Sequence, residues 1–285
     1  MKKNSFLSIN NQSGQALLIV VLVMVVALTV GLSIASKSIT SFRTSTDTAS
    51  SQKALSAAEA GIEQTLRSGT AISNSISQGT TYSTDVTTVG GKTFLLNGGN
   101  PVLQSSGIDL WLTSYFSDST QLYQPPYYPS SGSFTVYWGS ASDVCSEDPA
   151  SNTMAAVEVV VIAGTKTFPV ISRYAFDPCS ERQAKNHFAS PTGGENETTF
   201  TRKFYYQAKI DVGDGGVAGG GGLIARVVPL YTSAIMGING TNDFPPQGKV
   251  ITSVGKSGTT ERRVNVFQGY PELPAEYYLY NLFVP

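Results

Sequence analysis

Hydrophobic and polar positions divide the chain into a polar start, one long apolar run and a region of short alternating segments. From Ala16 to Ala35, twenty consecutive residues carry no charge. A helix of that length rises about 30 Å at about 1.5 Å per residue, which matches the hydrocarbon thickness of a bilayer. The pattern therefore predicts a transmembrane segment over residues 16–35.

The helical pattern continues beyond this segment. Between Lys37 and Arg67 there is no proline, and glycine occurs only at Gly61. Seven apolar residues roughly follow a helical stripe here: Ile39, Phe42, Ala49, Leu55, Ala58, Ile62 and Leu66. Gly69 follows a basic last turn and supplies a stop signal. We predict one helix over residues 15–67, about 80 Å long, whose amphipathic outer half needs a surface to lie against.

From Ala71 onward, short β-type runs alternate with clusters of Gly, Pro, Asn and Ser. The predicted strands are Tyr82–Val89, Lys92–Leu96, Ser133–Trp138, Ala155–Ile162, Thr167–Phe176, Thr201–Val212, Leu223–Tyr231, Lys249–Val254 and Glu261–Phe267. Turn residues at 90–91, 163–165 and 255–258 predict three hairpins. The sheet should therefore be mainly antiparallel.

Two further segments complete the predicted fold. Residues 108–116 have the pattern of a short helix, and the aromatic stretch 277–283 is expected to cover an edge of the core. The predicted class is α+β, in which the long helix packs through its outer half on a β-rich head domain, residues 68–285. That region is long enough for one domain with its own core.

Charge excludes one class of partner. The formal net charge is −1 and 14% of residues are charged, so no basic surface of the kind that binds nucleic acid is expected. The head is rich in Ser, Thr, Gly, Asn and Tyr, a composition common in exported proteins.

Cys145 and Cys179 are the only cysteines, and both lie in loop-like surroundings. In an exported domain a disulfide between them is the natural expectation; the alternative is two free buried thiols. Zinc is not expected, because there is no CxxC pair and the only histidine is His187.

No catalytic or cofactor motif is complete, so we expect neither an enzyme nor a bound cofactor. The glycine-rich segment 213–218 is followed by a strand instead of a helix, and we interpret it as a long hairpin loop. Segment 254–260 lacks the first glycine of a P-loop. Asn239, Asn242 and Asp243 suggest either a calcium site or a solvated turn.

Three features stand together in the first quarter of the chain: a polar leader that ends in Gly14, the apolar run that begins QALLIVVLVMVV, and the segment AAEA at Ala57–Ala60. With these features the chain resembles type IV pilin-like precursors, specifically minor pilins of the PilX type. In a secretory signal, by contrast, the small cleavage residue follows the apolar run. The resemblance implies a leader over residues 1–14 and a long helix that bundles into a filament.

The resemblance also implies processing and partners. A prepilin peptidase is expected to cut after Gly14 and methylate the new amine of Gln15. The pilus assembly machinery and other pilin subunits are the expected partners, together with the membrane. The N-terminus is placed in the cytoplasm because the leader is short and polar, and the head lies outside, on the cell surface after assembly. The alternative is an uncleaved signal anchor that holds a binding domain outside any filament.

Two features refine this expectation. Ala27, Gly31 and Ala35 are small residues at fourfold spacing, and they are the predicted contact face in a helix bundle. Most major pilins carry Glu as the fifth residue of the mature chain, where this chain has Ile19. We therefore expect a minor, low-copy subunit of a pilus or a secretion pseudopilus, acting in assembly initiation, capping or surface contact.

Overall fold

The long N-terminal helix is present as predicted. The computed structural model describes residues 13–115, 127–146, 148–193, 200–274 and 278. Helix α1 covers Ser13–Ser68, 56 residues without interruption. It ends at Gly69, whose φ of 73° allows its N–H to bond the Thr65 carbonyl at 2.8 Å. Composition and the glycine at position 69 were therefore sufficient to predict this helix and its C-terminal end.

The rest of the described chain is mainly antiparallel β structure. The strands are β1 Ser73–Ser77, β2 Thr80–Leu95, β3 Ile108–Trp111, β4 Ser133–Trp138, β5 Ala156–Gly164, β6 Pro169–Phe176, β7 Thr192–Gly193, β8 Tyr206–Asp211, β9 Gly221–Leu230, β10 Met236–Ser257 and β11 Thr260–Gly269. A short helix α2 covers Ser180–Asn186. One sheet has the order β1-β2-β10-β4-β8-β7 with β11 on β10, and a second has the order β3-β9-β5-β6. The fold class is α+β, as predicted.

Contacts divide the chain into two compact units. The first contains α1 up to Gly61, residues 73–83 and residues 254–263. Within it, Ala54 and Ala58 are fully buried and face Gly255 of β10. The Arg262 guanidinium donates from Nε to the Ser51 hydroxyl at 2.8 Å. The helix in this unit thus packs through small residues on the hairpin formed by β10 and β11.

The second unit has its own hydrophobic core. Val157, Val159 and Val161 of β5 belong to the main buried cluster, together with side chains of β4, β8, β9 and β10. Val160 and Ile162 belong to a second cluster on the other face of β5. Strand β5 is therefore buried on both faces, which explains its almost continuous apolar sequence.

The helix stripe predicted from sequence is partly wrong. Ala58 and Ile62 are buried, but Leu55 and Leu66 are each 41% exposed. The buried positions are instead dominated by small residues, namely Ala54, Ala57, Ala58 and Gly61, with Ile62 and Thr65. Small residues are buried here because the helix backbone approaches another backbone closely, as at Ala54 and Ala58. A stripe of large apolar residues does not predict such a contact.

Two predicted local structures in the head are wrong. Gly90-Gly91 is not a hairpin turn, because β2 runs through it from Thr80 to Leu95. A Cβ at Gly90 would lie 3.1 Å from the Pro245 carbonyl oxygen, so the glycine admits a neighbouring backbone. The predicted helix at 108–116 is a strand over Ile108–Trp111, paired with β9; residue 116 lies outside the described residues.

The remaining differences from the predicted fold concern a loop, three short elements and the C-terminal segment. The segment 213–218 joins β8 and β9, which lie in different sheets, so it is not a hairpin loop. Three elements had no sequence signal that we recognised, namely β1, β7 and α2. Of the aromatic stretch 277–283, only Tyr278 is described; it is buried in the second cluster, in line with the predicted covering role.

Candidate functional site: the exposed length of the N-terminal helix

Every residue of α1 from Leu17 to Ala49 is exposed. The large apolar side chains between Leu17 and Ile34 are 53–69% exposed. In the described part of the chain, α1 is the one helix long and apolar enough to cross a membrane. This helix can therefore serve as a single-pass membrane anchor.

The predicted processing residues lie at the beginning of α1. The backbone of Gly14 and Gln15 belongs to its first turn. Ile19 is 58% exposed, four residues further along the helix. Ile19 is itself a predicted helix-packing residue, together with Ala27, Gly31 and Ala35. It does not share their face, because Ile19 and Gly31 are about 120° apart around a helix that turns about 100° per residue.

The structure brings Ala27, Gly31 and Ala35 onto one face of α1. Successive members are four residues apart, which displaces each by about 40° around the axis. A Cβ built at Gly31 meets no atom within 4 Å. The face is therefore open to close approach by another helix.

The same face continues beyond the uncharged segment. Ile39 and Phe42 follow Ala35 by four and seven residues, so they lie within about 40° of it. Their exposed fractions are 55% and 73%. We define residues 27, 31, 35, 39 and 42 as the packing face; it runs from the membrane-length segment into the part of the helix that follows.

Hydroxyl groups occupy the opposite side of this part of the helix. Thr40, Thr44 and Thr48 each donate to the carbonyl oxygen four residues earlier, at 2.8–3.0 Å. Because these hydroxyls are satisfied within α1, they need no partner. Ile39 and Phe42 thus share one side of the exposed helix after Ala35 with Thr46, whose hydroxyl donates to the Phe42 carbonyl at 2.9 Å. The other side carries the internally bonded Thr40, Thr44 and Thr48.

The predicted disulfide is present in the head. Cys145 and Cys179 are bonded, with their Cα atoms 5.8 Å apart, inside the usual range. It joins the loop after β4 to the residue that precedes α2. The prediction of a bonded pair is confirmed, and no free cysteine remains.

A buried ion pair, which the sequence analysis missed, reinforces this junction. Asp177 is fully buried and accepts two bonds from the Arg182 guanidinium, at 2.7 and 2.9 Å, and one from the Cys179 N–H at 2.9 Å. Arg182 also donates to Asn152 and to the Met154 carbonyl. The local sequence DPCSER carries the signal, since an acid and a base flank the cysteine.

A second buried pair holds the segment after β11. Asp109 of β3 lies opposite Arg226 of β9, and they form an ion pair at 3.1 Å. Asp109 accepts the Leu273 N–H at 2.6 Å, while Arg226 donates to the Leu273 carbonyl at 2.8 Å. Burial raises the pKa of Asp109, and the Leu273 and Arg226 contacts oppose that shift only in part. The two side chains thus satisfy both backbone groups of Leu273, its N–H and its carbonyl.

The sequence left a calcium site and a solvated turn as alternatives for Asn239, Asn242 and Asp243. Asn239, Asn242 and Asp243 lie within strand β10 instead of a turn. Among the described residues, no group of three or more His, Cys, Asp and Glu side chains is placed to hold a metal ion.

No protein-family model, no curated protein and no solved structure matches this chain. Its function is therefore inferred from the helix and the head as described above.

Proposed function

We propose that the chain is a minor pilin-like subunit of a type IV pilus or a related pseudopilus. It is made as a precursor, processed between Gly14 and Gln15, and anchored by residues 16–35 with the head outside the cytoplasm. It enters the filament by packing its helix against other subunits, and it acts in assembly initiation, capping or surface contact without catalysis.

One observation carries this proposal: the packing face does not end with the membrane-length segment. Lipid can cover residues 16–35, but Ile39 and Phe42 lie beyond it and are more than half exposed. Burying such side chains stabilises a protein by about 1.5–3 kcal/mol each. A neighbouring helix that follows α1 out of the bilayer would gain that stabilisation.

Small residues on the same face favour a helix as the partner. In lipid, helices gain nothing from the hydrophobic effect on association, so close van der Waals packing must hold them together. The open surface at Gly31 permits such an approach. A partner helix can therefore contact the same face inside the bilayer and beyond it.

The second candidate is an anchored binding domain that acts alone. The head favours it, since this part of the chain has a separate core and a disulfide. In that case lipid alone would cover the apolar segment, and Ile39 and Phe42 would remain in water.

Photo-crosslinking in native cells separates the two candidates. Phe42 is replaced by the photoreactive benzoylphenylalanine, and the matched control carries the same group at Thr44. The two positions are two residues apart along one helix but differ by about 160° around it, since each residue turns about 100°. We expect adducts with other subunits at position 42 and far fewer at position 44. Equal or absent adducts at both positions would contradict helix packing on this face.

A further inference from the structure

A groove of about 420 Å³ lies in the head, and no residue of α1 lines it. Its walls are the beginning of α2, the segment Ser190–Gly193 and the paired tyrosines Tyr205 and Tyr206. Its volume falls in the range of small-molecule sites, about 300–1,000 Å³. None of the proposed filament contacts uses it.

The described residues that line the groove are all uncharged. Asp143 and Arg182 influence the titration of Tyr206, but neither contributes to the lining. A charged ligand would lose its hydration here without gaining a counter-charge from these walls. The groove therefore suits a neutral ligand.

Two aromatic rings form a corner in the groove. The Tyr205 and Tyr206 ring centroids are 5.2 Å apart and their planes meet at 80°. Tyr205 is 42% exposed, so one ring surface is available to a ligand. Tyr206 is held in β8 by pairing with Trp138 and Gly193. Tyr205 precedes the strand, and its N–H bonds the Gly139 carbonyl at 3.2 Å. Strand pairing thus holds one ring of the corner and a backbone hydrogen bond holds the residue that carries the other.

The hydroxyls in the groove present both acceptors and donors. Ser190 donates its proton to the Gln183 side-chain oxygen at 3.1 Å, and Thr192 donates to the Gln207 carbonyl at 3.2 Å. Each of these oxygens keeps acceptor capacity, because a hydroxyl has one donor and two lone pairs. The hydroxyls of Ser180, Tyr205 and Tyr206 bond no described residue, so they can donate to a ligand. A well-matched ligand must therefore carry both hydrogen-bond donors and acceptors, as well as a face that packs on an aromatic ring.

We propose that this groove binds a neutral saccharide. A sugar ring has an apolar C–H face that packs on Tyr205, and its hydroxyls donate to Ser190 and Thr192. A proline-rich peptide also packs on aromatic grooves, but proline has no N–H to donate to those two oxygens. This inference concerns the head alone and does not rest on incorporation into a filament.

Binding is tested with the full chain in lipid nanodiscs, because sugar-based detergents would compete for the groove. The probes are neutral oligosaccharides of glucose, galactose, mannose and N-acetylglucosamine, with a polyproline peptide as the competing class. Saturation-transfer NMR detects binding, and calorimetry gives the Kd. We expect at least one oligosaccharide to bind and the peptide not to bind.

Three variants test whether the saccharide binds in the groove. Tyr205→Ala should weaken binding about tenfold, since the loss of about 1.4 kcal/mol of ring contact corresponds to that factor. Tyr205→Phe keeps the ring and should stay within about threefold, a loss of less than about 0.7 kcal/mol. Phe168→Ala is the control, because Phe168 is a 61% exposed aromatic that does not line the groove. Thermal melting confirms that each variant is folded.

Three outcomes would overturn the inference: no binding by any oligosaccharide in the panel, saccharide binding that is unchanged in Tyr205→Ala, or binding of the polyproline peptide in their place.

Discussion

Gly255 occupies a position in β10 that only glycine fits. A Cβ there would collide with the Ala54 carbonyl oxygen and would lie 2.5 Å from the Ala58 nitrogen. Both are backbone atoms of α1 and cannot rotate away. The absence of one side chain thus allows strand and helix backbones to touch within the first unit.

Gly255→Ala is expected to destabilise the protein, because overpacking costs roughly 1–3 kcal/mol and sometimes more. Urea unfolding of the solubilised chain measures the change in the free energy of unfolding. Gly193→Ala is the matched control, since a Cβ at Gly193 meets no atom within 4 Å, and it should change stability by less than about 0.5 kcal/mol. Equal effects from the two substitutions would show that the contact at Gly255 is not tight.

Ile19 decides how the proposed subunit enters a filament. On the proposed function, cleavage would leave the Gln15 amine as a charge near an apolar helix. In type IV pilin filaments, the Glu of a neighbouring subunit is expected to neutralise such an amine. This chain supplies the amine without the carboxylate, and an unmatched charge at the bilayer centre costs ~2.5–3.5 kcal/mol on insertion scales.

Expressed as the only pilin-like subunit in cells with the full assembly machinery, the chain should therefore form no long filaments, and Ile19→Glu should increase incorporation. Electron microscopy and quantification of sheared filaments measure both. Ile19→Gln controls for polarity without charge. Long homopolymeric filaments from the unaltered chain would refute the low-copy role.

The junction between the loop after β4 and helix α2 combines a disulfide with a buried ion pair. The cysteines are 34 residues apart in sequence. Asp177 and Arg182 hold the same segment by charge-assisted bonds. The disulfide therefore lowers the conformational entropy of the unfolded chain, while the ion pair stabilises the folded position of the segment.

Replacing both cysteines by serine should lower the free energy of unfolding by roughly 3–4 kcal/mol, on the chain-entropy model for a loop of this size. Urea unfolding with and without reductant measures it, and reductant should change the unaltered chain but not the variant. In native protein, alkylation without reductant should label neither cysteine. Labelling of both would show that the bond is absent in the cell.

Asp109 gives the segment around Leu273 a pH dependence. Its pKa in the folded state is raised, chiefly by burial, with Glu272 adding to the shift and Arg226, Leu273 and Tyr278 opposing it. A carboxyl with a raised folded pKa stabilises the fold below its ordinary value of 3.8, and that contribution is lost as pH rises through the folded pKa.

Compared with Asp109→Asn, the unaltered chain should therefore lose stability as pH is raised from about 4 towards 7. Thermal melting across that range gives the difference, with Asp85→Asn, an exposed carboxylate, as the control for loss of charge. A difference that does not change with pH, or one that grows in favour of the unaltered chain, would contradict the account.

The elements that the sequence predicted are those defined by local pattern. The uncharged run and the glycine stop were sufficient for α1, and β-type runs bounded by turn residues were sufficient for β4 and β5. Gly90-Gly91 was wrongly predicted as a turn. Glycine is needed at position 90 because the backbone of Pro245 and Pro246, far away in sequence, packs against it. The Asp109–Arg226 pair and the groove at Tyr205 join side chains that are distant in sequence, which no local pattern encodes. The Asp177–Arg182 pair is local, and the segment DPCSER could have predicted it.

For the molecule as a whole, the proposal links an exposed helix to a folded head. The helix can serve as a membrane anchor, its packing face extends past that anchor, and the head carries a groove suited to a neutral ligand. These features fit a subunit that joins a filament by its helix and presents its head outside the cell. The filament role depends on the chain being processed and assembled, whereas the groove does not.

Processing tests this account most directly. Mass spectrometry of the protein purified from native membranes, in cells with an active prepilin peptidase, gives the mass of the mature chain. The account predicts loss of residues 1–14 and a methylated Gln15 at the N-terminus. A chain that retains Met1 in those membranes would contradict the pilin-like assignment and leave an anchored domain in its place.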